Sequence, residues 1–225
     1  MSQTGPFVIA LDGPAASGKS SVGRGAARRL GLRYFDTGLL YRALTWLALR
    51  VGVDPANAPR LVPLIDQLQL DINPAGRVFR DGVDITDQLQ QPAVDAAVSA
   101  VSAHPAVRGG MLAAQRALIR APGVVMAGRD IGTVIAPDAQ LKVWLSASVE
   151  ERARRRSAQT GEAYAQVLEA MRRRDRLDAS RDVAPMAAAQ DAVVVDTDGL
   201  SPSMVVDRIV ELATARGAAR TAGSA

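Results

Sequence analysis

Residues Gly13-Pro14-Ala15-Ala16-Ser17-Gly18-Lys19-Ser20 follow the pattern G-x-x-x-x-G-K-[ST]. Glycine at these points lets the backbone curl so that successive N–H groups converge on one centre, a cradle for phosphate oxygens. A helix opening directly behind the loop adds the positive end of its dipole. Lys19 can then reach the β- and γ-phosphates of a nucleoside triphosphate, and Ser20 offers a hydroxyl to Mg²⁺. A chance Gly/Ser-rich turn would carry the same letters, so context decides. The apolar run FVIALD, Phe7–Asp12, precedes the loop, and Lys19–Leu30 has helical composition with Gly31 as its stop. The chain contains two lysines, Lys19 and Lys142, and writes arginine elsewhere. Retention of lysine inside the loop therefore carries information. Such a loop identifies a donor nucleotide and leaves the acceptor to be read from other residues.

Three segments bear on an anionic acceptor. DTGLLYR, Asp36–Arg42, leaves a strand end and opens a helix. Thr37 and Gly38 present a hydroxyl and a bare backbone, and Arg42 lies one turn further on; a capping turn with a solvated arginine is the plainer alternative. GRDIGT, Gly128–Thr133, follows a buried strand. Ligands of an open parallel sheet bind beyond the carboxyl ends of its strands, which puts Arg129 and Asp130 at the active edge. Asp130 can accept two hydrogen bonds from an amine or act on Mg²⁺ through water; an Arg–Asp pair closing a turn reads the same way. RRRDRLDASRDVAP, Arg172–Pro185, carries five arginines. Upstream, Arg152, Arg155 and Arg156 share one helical face by i, i+3, i+4 spacing. Two arginine-rich helices joined by SAQTGEAYA read as a lid that swings guanidinium groups onto phosphates, or as a solvated charged face. Taken together the segments suit phosphoryl transfer, which needs a neutralised site closed to water. Arginine serves there because its fork binds phosphate bidentately and keeps its charge.

These groups must be held by a scaffold, and its outline is legible. Buried strands are expected at Phe7–Asp12, Gly123–Asp130, Ala139–Ala147 and Asp191–Thr197. Helices are expected at Lys19–Leu30, from about Leu39, over Val94–Arg120 with a break at His104-Pro105, and at Val149–Gln159, Tyr164–Leu177 and Pro202–Ala215. Alternation of strand and helix predicts an α/β fold with a parallel sheet covered on both faces. Between Leu68 and Leu89 the runs LQLDI and RVFRDG flank Pro74-Ala75-Gly76 and predict a β-hairpin inserted in the α/β chain. VDPANAP reads as a joint, and the closing GAARTAGSA as a disordered tail.

Composition narrows the functional classes. The 225 residues suffice for a full core, 48% are hydrophobic and 22% charged, and aromatics contribute only 4%, so Ala, Val, Leu and Ile must build that core. With no cysteine, disulfides, thiolate zinc sites and a cysteine nucleophile are excluded, and a reducing compartment is a natural fit. No apolar run approaches the roughly 20 residues of a membrane span, and MSQTGPF lacks the pattern of a secretory signal. A net charge of +4 is mild for this length, and few aromatics are present for base stacking. Nucleotide-dependent nucleic-acid binding is thus the disfavoured reading from another class. A kinase for a different small acceptor, such as shikimate or another monophosphate, stays open at this level.

In order and separation, DGPAASGKSS, YFDTGLLYR, GRDIGTVIAPDA and RDRLDASRDVAP resemble the motifs of the nucleoside monophosphate kinases, and most closely of bacterial cytidylate kinases. The resemblance spans Val8 to about Ala213. It implies a P-loop NTPase-type three-layer αβα fold with a central five-stranded parallel sheet. It further implies a small β-containing monophosphate-binding insertion at about 63–120 and a helical lid at about 151–177, within one kinase domain over residues 1–217. The implied reaction passes the γ-phosphoryl group of ATP to CMP or dCMP, with Mg²⁺ as cofactor. In that family Gly13, Pro14, Ala15, Ala16, Ser17, Gly18, Lys19, Ser20 and Ser21 would hold the ATP phosphates, with Ser20 on the metal. Arg42, Arg129 and Arg174 resemble the arginines on the acceptor phosphate and transferring group. Ser99, Arg108 and Asp130 resemble the readers of the cytosine edge, and Thr37, Asp178 and Arg181 the sugar-binding residues. Lys19, Arg129, Asp130 and Arg174 would be the catalytic set, with Arg152, Arg155 and Arg156 on the lid. Cytosine suits such readers: its amine donates to Asp130 and Ser99, while N3 and O2 accept from Arg108. Uracil would set a carbonyl against Asp130, a loss of roughly 1–3 kcal/mol. The implied partners are ATP, CMP and dCMP alone, without nucleic acid or membrane, for a monomer in the cytoplasm.

Two positions depart from the family pattern. Ala127 stands where an acidic residue is common, and the loop ends GKSS where GKGT is common, so that Ser21 can share the metal role. Among single residues, His104 is expected to pack beside Pro105, Trp46 and Trp144 to sit in the core, and Asp12 either to line the site or to cap the loop.

Overall fold

The computed structural model describes residues 5–73, 76–180 and 183–218. They form two compact units, one comprising the described residues up to Phe35 and from Ile119 onward, the other Asp36–Leu118.

The larger unit is built on a five-stranded sheet. Its strands are β1 (Phe7–Asp12), β2 (Arg33–Asp36), β6 (Gly123–Gly128), β7 (Leu141–Ser146) and β8 (Val193–Asp196), in the order β2-β6-β1-β7-β8. β1 pairs in parallel with both β6 and β7, and β7 with β8, with Leu11 opposite Ala127 and Asp12 opposite Gly128. The central strands are continuously apolar because both of their faces are covered. On one face lie helices α1 (Lys19–Leu30) and α8 (Pro202–Ala215), whose Val22, Ala26, Ala27, Val205, Ile209 and Ala213 meet Ile9, Leu11, Val125, Ala127, Val143 and Leu145. With so few aromatics the core is indeed aliphatic. Gly23 lets Tyr34 approach α1, since a Cβ there would stand 2.6 Å from the ring. Helices α6 (Val149–Thr160) and α7 (Tyr164–Ala179) pack on each other through Ala153, Val167 and Met171. Ser148 caps α6 by accepting from the N–H of Glu151, and left-handed Gly161 ends it.

The smaller unit holds α2 (Gly38–Arg50), α3 (Ala58–Ile65), a three-stranded antiparallel sheet of β3 (Leu70–Ile72), β4 (Val78–Arg80) and β5 (Val83–Asp84), and helices α4 (Pro92–Ala103) and α5 (Pro105–Arg116). α2 packs on α4, and α3 on α5. The unit thus takes in α2 and α3 along with most of the segment set apart from sequence as an insertion.

Several expectations are corrected. The hairpin gains a third strand, because Asp81 and Gly82 turn the chain in left-handed conformations and return it against β4. Pro74 and Ala75, the expected turn, lie outside the described residues, as do residues 219–225 of the tail; Ala218 is buried against the core. The joint VDPANAP leads into α3, which sequence reasoning missed because two prolines mask it. Pro59 occupies the first turn, where no N–H is required, and Asn57 supplies the cap. The strand expected through Asp130 stops at Gly128. Neither tryptophan is in the core. Trp46 is half-buried under the guanidinium groups of Arg50 and Arg80, 5.4 and 5.9 Å from its ring, and Trp144 is also half-buried. His104 sits between α4 and α5, with Nε2 2.9 Å from the Pro55 carbonyl, in keeping with a packing role.

Candidate active site

The eight-residue loop runs from β1 into α1, the context its spacing demands. Gly13 has φ 148° and Gly18 φ 94°, conformations closed to most side chains. A Cβ on Gly13 would lie 2.3 Å from the carbonyl oxygen of Leu145, so only glycine lets the loop leave β1 against the end of β7. Ala16 also takes a left-handed conformation, φ 57°, which costs a non-glycine residue about 1 kcal/mol or more. Strain of this kind is retained where main-chain donors must face a ligand. The Lys19 ammonium folds back into the loop, donating to the carbonyls of Gly13 at 2.8 Å and Pro14 at 2.5 Å and lying 3.4 Å from the Ser17 hydroxyl. Ser20 and Ser21 are exposed on the first turn of α1.

Beyond β6 the chain forms a π-helical turn, Ile131–Ile135, in which the Asp130 and Ile131 carbonyls accept from N–H groups five residues on. Such wide turns are rare and cluster at functional sites. This turn is anchored by Asp12, the last residue of β1. One of its carboxylate oxygens accepts from the N–H of Ile131 and the other from that of Gly132, each at 2.8 Å. Burial pushes the Asp12 carboxyl up to about 6. The two N–H groups and Lys19 pull the other way, and neighbouring Asp130 adds to the rise. Sequence reasoning left Asp12 open between lining the site and capping the loop, and in the structure its bonds go to another strand's turn. The available signal was a lone acid at the end of an otherwise apolar strand.

Arg129 is half-buried and its Nε lies 3.2 Å from the carboxylate of Asp178, near the end of α7; Asp130 and Asp178 are buried. Arg174 stands half-buried on α7, and Arg181 lies outside the described residues. Of the arginines assigned to the lid, Arg152 forms a fork on Asp175, at 3.2 and 2.5 Å, and donates to the Ala15 carbonyl in the phosphate loop. Arg155 bonds Glu151 and both the hydroxyl and the carbonyl of Thr197. Arg156 is half-buried on the same helix. Nearby, Asp198 is held below its ordinary range chiefly by hydrogen bonding to Ser148, with Arg155 and Arg152 adding positive charge. Asp12 experiences the charges of both Lys19 and Asp130. The larger unit therefore gathers the phosphate loop, the Arg129–Asp130 turn and the α6–α7 pair into one charged neighbourhood.

In the smaller unit, Thr37 is buried at the start of α2, where the Asp36 carboxylate accepts from the N–H of Gly38 at 3.0 Å. Arg42 donates to the Leu89 carbonyl at 2.7 Å and pairs with Asp95. Arg108 is buried over the Tyr41 ring at 5.5 Å, donates to the Ser102 carbonyl at 3.1 Å, and is linked through Ser102 to Ser99. Gln115 in turn donates to the Tyr41 hydroxyl at 3.1 Å. Asp95, Asp175, Tyr41 and Gln115 were missed from sequence. Each acts on an arginine or its support, and no local pattern marks that role.

The residues fit Mg²⁺ as a guest of the triphosphate. A small hard cation takes phosphate and water oxygens plus one or two protein oxygens. Exposed Ser20 can give one, while no group of three or more His, Cys, Asp or Glu side chains that could hold a metal unaided occurs among the described residues. Ala127 lies fully buried in the aliphatic face beside α1 and contributes no charge.

A cytidylate kinase family profile matches residues 9–215. The chain is 47% identical to the cytidylate kinase of Mycobacterium avium (strain 104), over 93% of this chain and 96% of that protein. It is also 47% identical to the cytidylate kinase of Geobacillus kaustophilus (strain HTA426), over 92% and 96%. Among solved structures, an uncharacterized protein from Eubacterium ventriosum ATCC 27560 shares the fold with a TM-score of 0.53, covering 93% of this chain and 98% of that one at 11% identity. On the strength of the profile and these relatives, the chain belongs to the cytidylate kinase family.

Proposed function

We propose that this protein transfers the γ-phosphoryl group of ATP to CMP or dCMP, giving ADP and CDP or dCDP. The observation that carries the reading is the strand–loop–helix at Gly13–Ser20, with its left-handed residues and Lys19 folded into it, on a chain of this family. A triphosphate competes for the Lys19 ammonium with loop carbonyls. The anion is the stronger partner, because charge-assisted hydrogen bonds are about twice as strong as neutral ones.

Catalysis in this reading is positioning and charge neutralisation. Main-chain N–H groups of Gly13–Ser21 and Lys19 hold the donor. Arg42, Arg129 and Arg174 hold the acceptor phosphate and neutralise charge spreading over the transferring group. Ser99, Arg108 and Asp130 read the cytosine edge, while Thr37, Asp178 and Arg181 serve the sugar. The acceptor is already an anion, so no side chain need act as nucleophile. Mg²⁺, held by Ser20 with Ser21 available beside it, would supply positive charge to the donor phosphates. The segment at about 151–177 acts as a lid with Arg152, Arg155 and Arg156; in this state Arg152 and Arg155 are engaged with Asp175, Glu151 and Thr197. The enzyme works as a monomer in the cytoplasm, a compartment its lack of cysteine suits. Among the described residues no helix is long and apolar enough to cross a membrane.

An ADP-release assay with ATP, Mg²⁺ and a panel of CMP, dCMP, UMP, AMP and shikimate tests the reading. CMP and dCMP should be consumed, and UMP more slowly by roughly ten- to a hundredfold. Consumption of a non-nucleotide acceptor with CMP untouched would refute it.

A further inference from the structure

Among the described residues, Asp12 is a buried acid to which the proposed reaction gives no part. Asp12 is 4% exposed and immediately precedes Gly13, the first residue of the phosphate loop. Its two oxygens take the N–H groups of Ile131 and Gly132, which follow directly on Arg129 and Asp130. We propose that Asp12 is a positioning residue that couples the phosphate loop to the Arg129–Asp130 turn, so that the state of the ATP-binding loop sets where those two side chains stand. The inference rests on the functional reading above.

The geometry gives the coupling a physical route. β1 and β6 are paired in register up to Asp12 and Gly128, where the ladder between them ends. The Asp12 carboxylate is the bridge that continues the connection past the strand ends. A carboxylate with one oxygen on each of two successive N–H groups fixes both the distance and the tilt of the turn it holds. On the loop side, the Gly13 carbonyl that follows Asp12 accepts from Lys19 at 2.8 Å, and Gly13 is pressed against the Leu145 carbonyl. When a triphosphate takes the Lys19 ammonium, the Gly13 carbonyl loses a partner and Asp12 feels a displaced positive charge. The loop and the turn therefore differ in their interactions between empty and ATP-bound states, which is what a ligand needs in order to shift a distant group. The turn is also braced by packing. Gly132 lies against the stem of Lys142, where a Cβ would be 3.1 Å from Cδ, and Lys142 pairs with Asp191 at 2.9 Å. That brace is a side chain of β7 on the turn, whereas Asp12 is joined by the chain to the loop and by two hydrogen bonds to the turn.

The test compares native protein with Asp12→Asn and Asp12→Glu. Asparagine keeps the shape but can accept only one of the two N–H groups, whereas glutamate keeps charge and both acceptors on a longer stem. Amide hydrogen exchange over residues 128–136 is measured with and without Mg²⁺ and a non-hydrolysable ATP analogue. In the native protein the analogue should slow exchange there by about fivefold or more. In Asp12→Asn that response should disappear while the analogue still binds within about threefold of native affinity, and kcat for CMP should fall roughly ten- to a hundredfold with little change in the KM for ATP. Asp12→Glu should recover part of both. An intact exchange response in Asp12→Asn, or none in the native protein, overturns the inference. So does loss of the folded state in both variants, which would assign Asp12 to stability alone. If native protein left CMP untouched, the functional reading would fail, while the exchange comparison would still decide the coupling.

Discussion

In the phosphate loop, every group that matters lies within eight residues of the chain: the left-handed Gly13, Ala16 and Gly18, the Lys19 ammonium and the Ser20 hydroxyl. The arginine-bearing segments are built otherwise. Arg42 is held by Asp95, Arg129 by Asp178 and Arg152 by Asp175, each partner far along the chain. The loop is a main-chain device whose shape follows from local conformation. The arginine sites are side-chain devices, and their direction comes from acids that only the fold brings near. A local device should break at one residue; a distributed one should break as readily at the acid that aims the arginine.

Lys19→Ala tests the local half and should have the largest effect. A preorganised donor facing developing phosphate charge is worth roughly 10²–10³ in kcat, and the assay is ADP release with saturating ATP and CMP. Global stability should change much less than turnover, because the Gly13 and Pro14 carbonyls and the Ser17 hydroxyl that Lys19 meets belong to the loop itself. A variant with near-native turnover would remove Lys19 from the chemistry and leave the loop a binding element only.

Asp12 lies where the two kinds of construction meet, and its titration gives the next effect. Its carboxyl is raised from an ordinary 3.8 to about 6, burial being the main cause, with Asp130 raising and Lys19 lowering it. Between those pH values the folded protein binds more protons than the unfolded chain, so this group's contribution to stability falls as pH rises from about 4 to about 6 and is level above. The full swing is on the order of 3 kcal/mol. Exposed carboxylates held low, such as Asp191 by its bond to Lys142, act with the opposite sign. The clean measurement is therefore the difference in urea midpoint between native protein and Asp12→Asn, followed from pH 4 to 7. That difference should shift in favour of the variant as pH rises; a constant offset would mean that Asp12 does not titrate there.

Asp178→Ala tests the distributed half. Breaking a fully buried pair costs about 3–5 kcal/mol. Here Asp178 is 3% exposed and Arg129 19%, so the arginine can still find water and the loss should be nearer 2 kcal/mol. Activity should fall as well, because Arg129 loses the acid that aims it. Arg129→Lys should be costly by the same logic, since an ammonium keeps the charge but not the fork. Full stability with lost activity in Asp178→Ala would leave Asp178 the proposed sugar contact alone and remove it as a support of Arg129.

What could be read from sequence follows the same division. The loop, β1, α1 and the alternating strands were legible because glycine placement and apolar periodicity are local. The segments bearing Arg42, Arg129 and Asp130 were found from their position at strand ends. Asp95 and Asp175, the partners of Arg42 and Arg152, were not, because an aspartate at either position looks like any solvated helical acid until the fold pairs it. α3 was hidden by prolines that read as a joint, and the third strand of the small sheet by its two-residue length. Trp46 was assigned to the core by its apolar neighbours, a reading that cannot register arginines stacking from Arg50 and Arg80.

Exposure, rather than the presence of a partner, should decide which charged pairs matter, and the smallest predicted effect sharpens that point. Arg208 and Glu211 form an i, i+3 pair on α8 at 3.3 Å, with side chains 55% and 68% exposed. Arg152 and Asp175 lie 5% and 22% exposed. In water the first pair gains little attraction and must immobilise two long side chains, so Arg208→Ala should move stability by less than about 0.5 kcal/mol. Alanine's better helix propensity offsets part even of that. Arg152→Ala removes a fork from Asp175 and a bond to the phosphate loop, so it should lower both stability and turnover. Thermal midpoints of the two variants, set beside their turnover, separate the cases. Equal losses in both would mean that any ion pair can brace this fold, and the contrast between the loop and the arginine sites would lose its energetic basis.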